Sequence, residues 1–164
     1  KSFYGGGVLY DMGSQLIDQI LCLIDKSVVG VWCNARNVLW SSEVDDYFKC
    51  LMRFEDGLVV QMETSQISRY MLPRWYIIGS KGAILCENWD GPVKVKAEST
   101  EIRDREFIPE MEEGSWCEFY KNIYKVLTEK AELIIKPQQV RRTVAIIDAA
   151  RKSHLTSKEV KVCI

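Results

Sequence analysis

The spacing of apolar and polar residues changes along this chain, and each change marks an element. Between Gly13 and Asp25, apolar side chains fall at Leu16, Ile17, Ile20, Leu21 and Ile24, which predicts a helix with one apolar face. Val28 to Ala35 is rich in β-forming residues and suits a buried strand. Phe48, Cys50, Met52 and Phe54 then alternate with Lys49, Leu51 and Arg53, and beyond Glu55-Asp56-Gly57 the residues Leu58, Val60, Met62 and Thr64 alternate with Val59, Gln61 and Glu63. Two hairpin loops compete for this segment. A two-residue Asp56-Gly57 loop would set Phe54 opposite Val59 and Met52 opposite Gln61, mixing the faces. A three-residue Glu55-Asp56-Gly57 loop pairs Phe54 with Leu58, Met52 with Val60, Cys50 with Met62 and Lys49 with Glu63. Register follows the apolar pattern, so the three-residue loop is expected, with Gly57 left-handed in a bulge.

Strands are also predicted over Arg74 to Ile78 and Ala83 to Cys86, joined by the turn Gly79-Ser80-Lys81-Gly82. Val93 to Ala97 alternates cleanly, Arg103 to Ile108 more weakly, and the polar stretch Glu98 to Arg105 reads as the most exposed segment. The period then becomes helical. Trp116, Phe119, Tyr120, Ile123, Tyr124 and Leu127 form a wide apolar stripe, read as core packing. Pro137 suits the first turn of a further helix, whose apolar face is expected at Val140, Val144, Ile147 and the aliphatic stem of Arg151. Val160, Val162 and Ile164 close the chain as a strand. Helix, several strands on short turns, two helices and a strand imply an α+β fold: an open, mostly antiparallel sheet with helices packed on one face, no Rossmann unit, and a single domain over residues 1–164.

Composition narrows the function. At 164 residues the chain can bury roughly 70% of its unfolded surface. A net charge of −1 argues against a nucleic-acid or anionic-membrane partner, and no apolar run approaches the ~20 residues that span a bilayer. The six cysteines form no C-x-x-C pair and lie in apolar segments; they are expected to be buried thiols of a reducing, cytoplasmic compartment. The chain starts at Lys1 without an initiator Met, so a fragment or excised domain is expected.

Few residues offer chemistry. Gly5-Gly6-Gly7 is not a dinucleotide fingerprint, because no strand precedes it. It reads either as a flexible end or as a place where backbone passes close to a ligand or another domain. Asp11, at or just before the expected helix start, suits either an N-terminal capping role or a site. His154 is the only histidine; it stands near the end of the last helix, where a cation suits the dipole, and no metal site is expected. Lys81 reads as a solvated turn lysine, and no nucleophile constellation is evident.

The segments GGGVLYDMGSQLIDQI, VDDYFKCLMRFEDGLVV, YIIGSKGAI, WCEFYKNIYKVL and IDAARKS, in that order, resemble the C-terminal domain of the Gfo/Idh/MocA oxidoreductases, the glucose–fructose oxidoreductase and inositol dehydrogenase family. The resemblance implies an N-terminal Rossmann half, absent here, that holds NAD or NADP and a catalytic lysine. No cofactor is expected on this chain. It implies that this domain binds substrate, a sugar, polyol or related hydroxy compound, and forms a homo-oligomer through an exposed sheet face. It also implies roles for residues. Asp11 matches an Asp that orients substrate. Gln15, four positions on, stands where the family usually has a His that moves a proton. Asp18 matches a frequent structural Asp, and Gly6 and Gly7 would lie against the site. An amide cannot serve as a general base, so Gln15 leaves two implied readings. One is a substrate-positioning domain of an oxidoreductase; the other is a non-catalytic relative that binds a metabolite or cofactor as a regulator.

Overall fold

The computed structural model describes residues 5–40, 42–98, 105–112 and 114–164. In chain order its elements are α1 (Val8–Leu23), β1 (Val28–Arg36), β2 (Tyr47–Phe54), β3 (Val59–Ser65), β4 (Trp75–Gly79), β5 (Gly82–Cys86), β6 (Val93–Ala97), β7 (Arg105–Phe107), α2 (Trp116–Glu129), α3 (Pro137–Thr156) and β8 (Val160–Lys161). The α+β reading holds, and every strand pairing is antiparallel, in two four-stranded sheets ordered β3-β2-β1-β8 and β4-β5-β6-β7. The chain divides into two compact units, Lys1–Ser68 with Asn122–Ile164, and Arg69–Lys121.

In the first unit, the alternation in β2 places Phe48, Cys50, Met52 and Phe54 on the buried face, against Val31, Cys33 and Ala35 of β1. Ile17 and Ile20 of α1 and Ile146, Ile147 and Ala150 of α3 complete this core. The hairpin has the three-residue loop. Cys50 pairs with Met62, Met52 with Val60 and Lys49 with Glu63, and the Lys49–Glu63 ion pair closes at 3.0 Å. Phe54 N donates to Leu58 O at 2.8 Å, Gly57 N donates to Phe54 O at 3.0 Å, and Gly57 has φ +88°. Glycine reaches that left-handed backbone without a Cβ penalty. The closing strand pairs with β1 at Val160 and Lys161, and Val162 N and Ile164 N add backbone bonds to Val29 O and Val28 O.

In the second unit β4 to β7 form a meander. The expected turn tightens to Ser80-Lys81, with Gly79 opposite Gly82, and Lys81 is exposed. The register puts Trp75, Ile77, Ile84, Cys86, Val93, Val95 and Phe107 on one face. Glu98 and Arg105 are exposed, and residues 99–104 lie outside the described residues, including the start of the strand expected from Arg103.

Several expectations are corrected. Helix α1 begins at Val8, five residues ahead of the apolar pattern, because its first turn is fixed from outside the helix, as shown below. The buried face of α3 is Thr143, Ile146, Ile147, Ala149, Ala150 and Ser153; Val140, Val144 and Arg151 are exposed, so only Ile147 was placed correctly. Small side chains let α3 lie close to β1, and its buried hydroxyls find partners. Thr143 Oγ1 donates to Asp18 Oδ1 at 3.1 Å, and Ser153 Oγ accepts from Cys33 N at 2.9 Å while donating to Lys158 O at 2.6 Å. Paired in this way, buried hydroxyls cost little, so hydropathy alone misplaced the face. No residue of α2 is buried, and Trp116 is 86% and Leu127 80% exposed, so the stripe is not core. Of the six cysteines, Cys33, Cys50 and Cys86 are buried, whereas Cys22, Cys117 and Cys163 are exposed.

Candidate functional site

Helix α1 has no side chain of its own at its N-terminus. Gly7 is the N-cap residue, at φ +114° and ψ 143°, with no side-chain cap bond. The cap comes from Asp45, just before β2. Its carbonyl accepts from Val8 N at 3.0 Å, and its carboxylate Oδ2 accepts from Leu9 N at 2.7 Å. A carboxylate on the first free amides of a helix both fills donors that lack intrahelical partners and opposes the positive end of the dipole. It sits where a side chain on residue 7 would be: a Cβ built on Gly7 overlaps Asp45 Oδ1. Gly7 is thus required by close approach, although the group that approaches is Asp45 of the same chain. Gly6 is half-buried and Gly5 exposed.

This geometry corrects the position of Asp11. It is the fourth residue of the helix, in the first turn, and the capping role belongs to Asp45. Asp11 and Gln15 are both exposed, four residues apart on one face, and neither side chain has a hydrogen-bond partner among the described residues. Asp18 continues the same stripe but is engaged by Thr143 on α3, a structural role. Asp11 therefore offers a carboxylate acceptor and Gln15 an amide that both donates and accepts, aimed away from the core on a turn whose backbone Asp45 fixes. The pair offers hydrogen-bonding groups side by side, and it cannot relay a proton through Gln15.

Asp46, next to Asp45, serves the opposite direction. Its carboxylate accepts from Val38 N (2.8 Å), Leu39 N (2.7 Å) and Trp40 N (2.9 Å), while its own N donates to Arg36 O at 2.9 Å. The amides of Trp40 and Leu39 hold its carboxyl below the usual carboxylate range, against the opposing effect of its burial. The consecutive aspartates thus brace the loop after β1 and the start of α1. Neither was read from sequence as functional; the available signal was an Asp-Asp pair directly ahead of a strand, beside a helix whose start lacked a capping side chain.

His154 differs from its sequence reading. Its Nδ1 accepts from Ala35 N at 3.3 Å, which ties the ring to β1 rather than leaving it to the end of its own helix. Among the described residues, no three His, Cys, Asp or Glu side chains gather as a metal site, and no helix is long and apolar enough to cross a membrane. A dinucleotide needs a βαβ unit with a glycine-rich turn, and every described strand pair is antiparallel.

The chain is thus an antiparallel α+β fold opened by a glycine-led helix that presents Asp11 and Gln15. The chain belongs to the GFO/IDH/MocA family: the model of the GFO/IDH/MocA C-terminal domain matches residues 1–85. Among solved structures it is similar to an NAD-binding protein from Listeria innocua, at 30% identity and a TM-score of 0.82, covering 96% of this chain and 48% of that one. It is also similar to a provisionally assigned oxidoreductase from Bacteroides fragilis (24% identity, TM-score 0.79, 95% and 51% covered). A provisionally assigned NADPH-dependent oxidoreductase from Desulfitobacterium hafniense shares the fold at 17% identity and a TM-score of 0.80, with 95% and 48% covered. The chain spans about half the length of these solved relatives. No curated protein matches it.

Proposed function

We propose that this chain is the substrate-binding and oligomerisation part of an NAD(P)-dependent oxidoreductase acting on a sugar, polyol or related hydroxy compound. The observation that carries the reading is the pair Asp11 and Gln15, exposed and unpartnered on the first turns of α1, on backbone that Asp45 and Gly7 hold. Asp11 accepts from substrate hydroxyls and Gln15 fixes a neighbouring one. Gly6 leaves room for close approach of substrate, and Gly7 for the Asp45 carboxylate that fixes the helix start. NAD(P) is held by residues outside this chain, and so is the acid/base group, because Gln15 does not titrate near neutral pH. The outward face of the first sheet over β2 and β3, where Lys49 and Leu51 are half-buried and Val59 and Gln61 exposed, supplies the contact between copies.

Gln15 also favours a second reading, a relative that binds a metabolite without turning it over. The two separate in one experiment. The intact protein is assayed for NAD+ or NADP+ reduction with a panel of sugars and polyols, alongside Asp11→Asn and Gln15→His. The oxidoreductase reading expects measurable turnover that Asp11→Asn lowers by about 10-fold or more, the effect of one positioning group on the reacting centre. It expects Gln15→His to raise turnover and add a limb near pH ~6.5 to the pH–rate profile. Absence of turnover in all three, with saturable binding of a panel compound, would establish the regulator instead.

A further inference from the structure

β8 covers the outer edge of β1 only as far as Val31, which pairs with Val160. In an antiparallel strand alternate residues turn their N–H and C=O to the same side, and Val29 O is bonded to β8 on this side. Cys33 and Ala35 therefore face the same way, past the end of β8. Their amides are satisfied from α3: Cys33 N donates to Ser153 Oγ at 2.9 Å and Ala35 N to His154 Nδ1 at 3.3 Å. Their carbonyls accept from no partner among the described residues. The edge is thus half satisfied, and the half left open consists of acceptors.

This edge borders a pocket of about 390 Å³. It is also lined by Trp32, Asn34, Arg36, Asn37, His154 and Ser157, and no Asp or Glu lines it. The guanidinium of Arg36 has no ion pair, and the amides of Asn34 and Asn37 have no hydrogen-bond partner among the described residues. Strand addition does not suit this edge, since an incoming strand needs the amides of Cys33 and Ala35, which α3 already holds. What fits is a ligand with negative charge for Arg36 and with hydroxyl donors for the two open carbonyls.

We propose that the open end of the β1 edge is a binding site for a small hydroxylated carboxylate, of the sugar-acid type. The guanidinium and amide groups take the carboxylate, the carbonyls of Cys33 and Ala35 take hydroxyl protons, and Trp32 offers a flat apolar wall for C–H groups. The site lies apart from Asp11 and Gln15, neither of which lines the pocket, and the inference does not rest on the oxidoreductase reading.

The test is calorimetric titration of the intact protein at low ionic strength with three probes: gluconate, acetate and glucose. Acetate carries the charge without the hydroxyls, and glucose the hydroxyls without the charge. Saturable gluconate binding is expected, at least ~10-fold tighter than either comparator, because charged and neutral hydrogen bonds act together. Arg36→Gln should weaken gluconate by about 10-fold or more and Asn37→Ala by a smaller factor, and both side chains are exposed, so the fold is retained and circular dichroism checks it. The proposal is overturned if gluconate does not bind, if it binds no tighter than acetate or glucose, or if Arg36→Gln leaves its affinity unchanged.

Discussion

The start of α1 should unravel in a coupled way when Gly7 or Asp45 is changed. Asp45→Ala removes the carboxylate on Leu9 N, a 2.7 Å bond to the positive end of the helix. Loss of a capping side chain costs about 1 kcal/mol, and loss of the charge at the dipole adds a few tenths or more, so about 1–2 kcal/mol in all. For a chain of this size that is a fall in Tm of about 2–8 °C. Gly7→Ala carries two separate costs. The backbone at φ +114° and ψ 143° is territory that side chains rarely occupy, worth about 1–3 kcal/mol. The new Cβ also displaces the Asp45 carboxylate and so destroys the cap. In the Asp45→Ala background there is no carboxylate to displace and no cap to lose; only the backbone cost remains. Gly7→Ala should therefore cost about 1 kcal/mol less in that background than in the wild type. Urea unfolding of the four proteins, with unchanged m-values, measures this coupling. Independent sites add to within about 0.3–0.5 kcal/mol. Additivity within that margin would refute the account of why residue 7 is glycine.

Asp46 sets an acid limit. Its carboxyl is held below its ordinary value by the amides of Trp40 and Leu39, so the stability it lends is fully present above the unfolded carboxylate pKa of about 3.9 and is lost as pH falls through its lower folded value. Asp46→Asn should lower Tm at about pH 6, and the gap to wild type should close on acidification below about pH 3.9; a gap independent of pH contradicts the assignment. The thiols should divide into two classes under a maleimide in native buffer: Cys22, Cys117 and Cys163 react, whereas Cys33, Cys50 and Cys86 wait for denaturant. Cys50 should be the slowest, because its contact with the Cys33 thiol and its burial push its pKa up and leave it no thiolate, and peptide mapping that finds it labelled early would contradict this. Gly57→Ala should destabilise the hairpin by about 1–2 kcal/mol through its positive φ, read by urea unfolding; an unchanged midpoint would mean that the loop relaxes to another turn.

The hairpin could be read in the sequence because its information is local. Alternation over Phe48–Phe54 and Leu58–Thr64 fixes which faces must meet, and of the two loop lengths only the three-residue one keeps Cys50 with Met62. Likewise Pro137 marked the first turn of α3, and Val93–Ala97 has the bounds its alternation predicts. The face of α3 was not legible, because Thr143 and Ser153 are buried through bonds to Asp18 and to Cys33 N, partners 125 and 120 residues away. Nor was the exposure of α2 legible, since an amphipathic stripe states what a helix can bury and not whether anything covers it. The cap on α1 failed for the same reason as α3: the group that defines the helix start stands 36 residues downstream.

The candidate site inherits that division. Asp11 and Gln15 were singled out by the resemblance, and a spacing of four then predicted the shared exposed face of α1 on which both lie. What holds them was not readable. The aspartates at 45 and 46 look like one acidic pair ahead of a strand, yet one carboxylate reaches the amides of α1 and the other those of residues 38–40. Successive residues entering a β-strand turn opposite ways, so two adjacent carboxylates can serve two separate sets of backbone donors. The start of α1 and the loop after β1 are thereby tied to the same two residues at the head of β2. Loosening that head should disturb the presentation of Asp11 and the corner of Arg36 together, through two hydrogen-bond systems that share only a peptide bond.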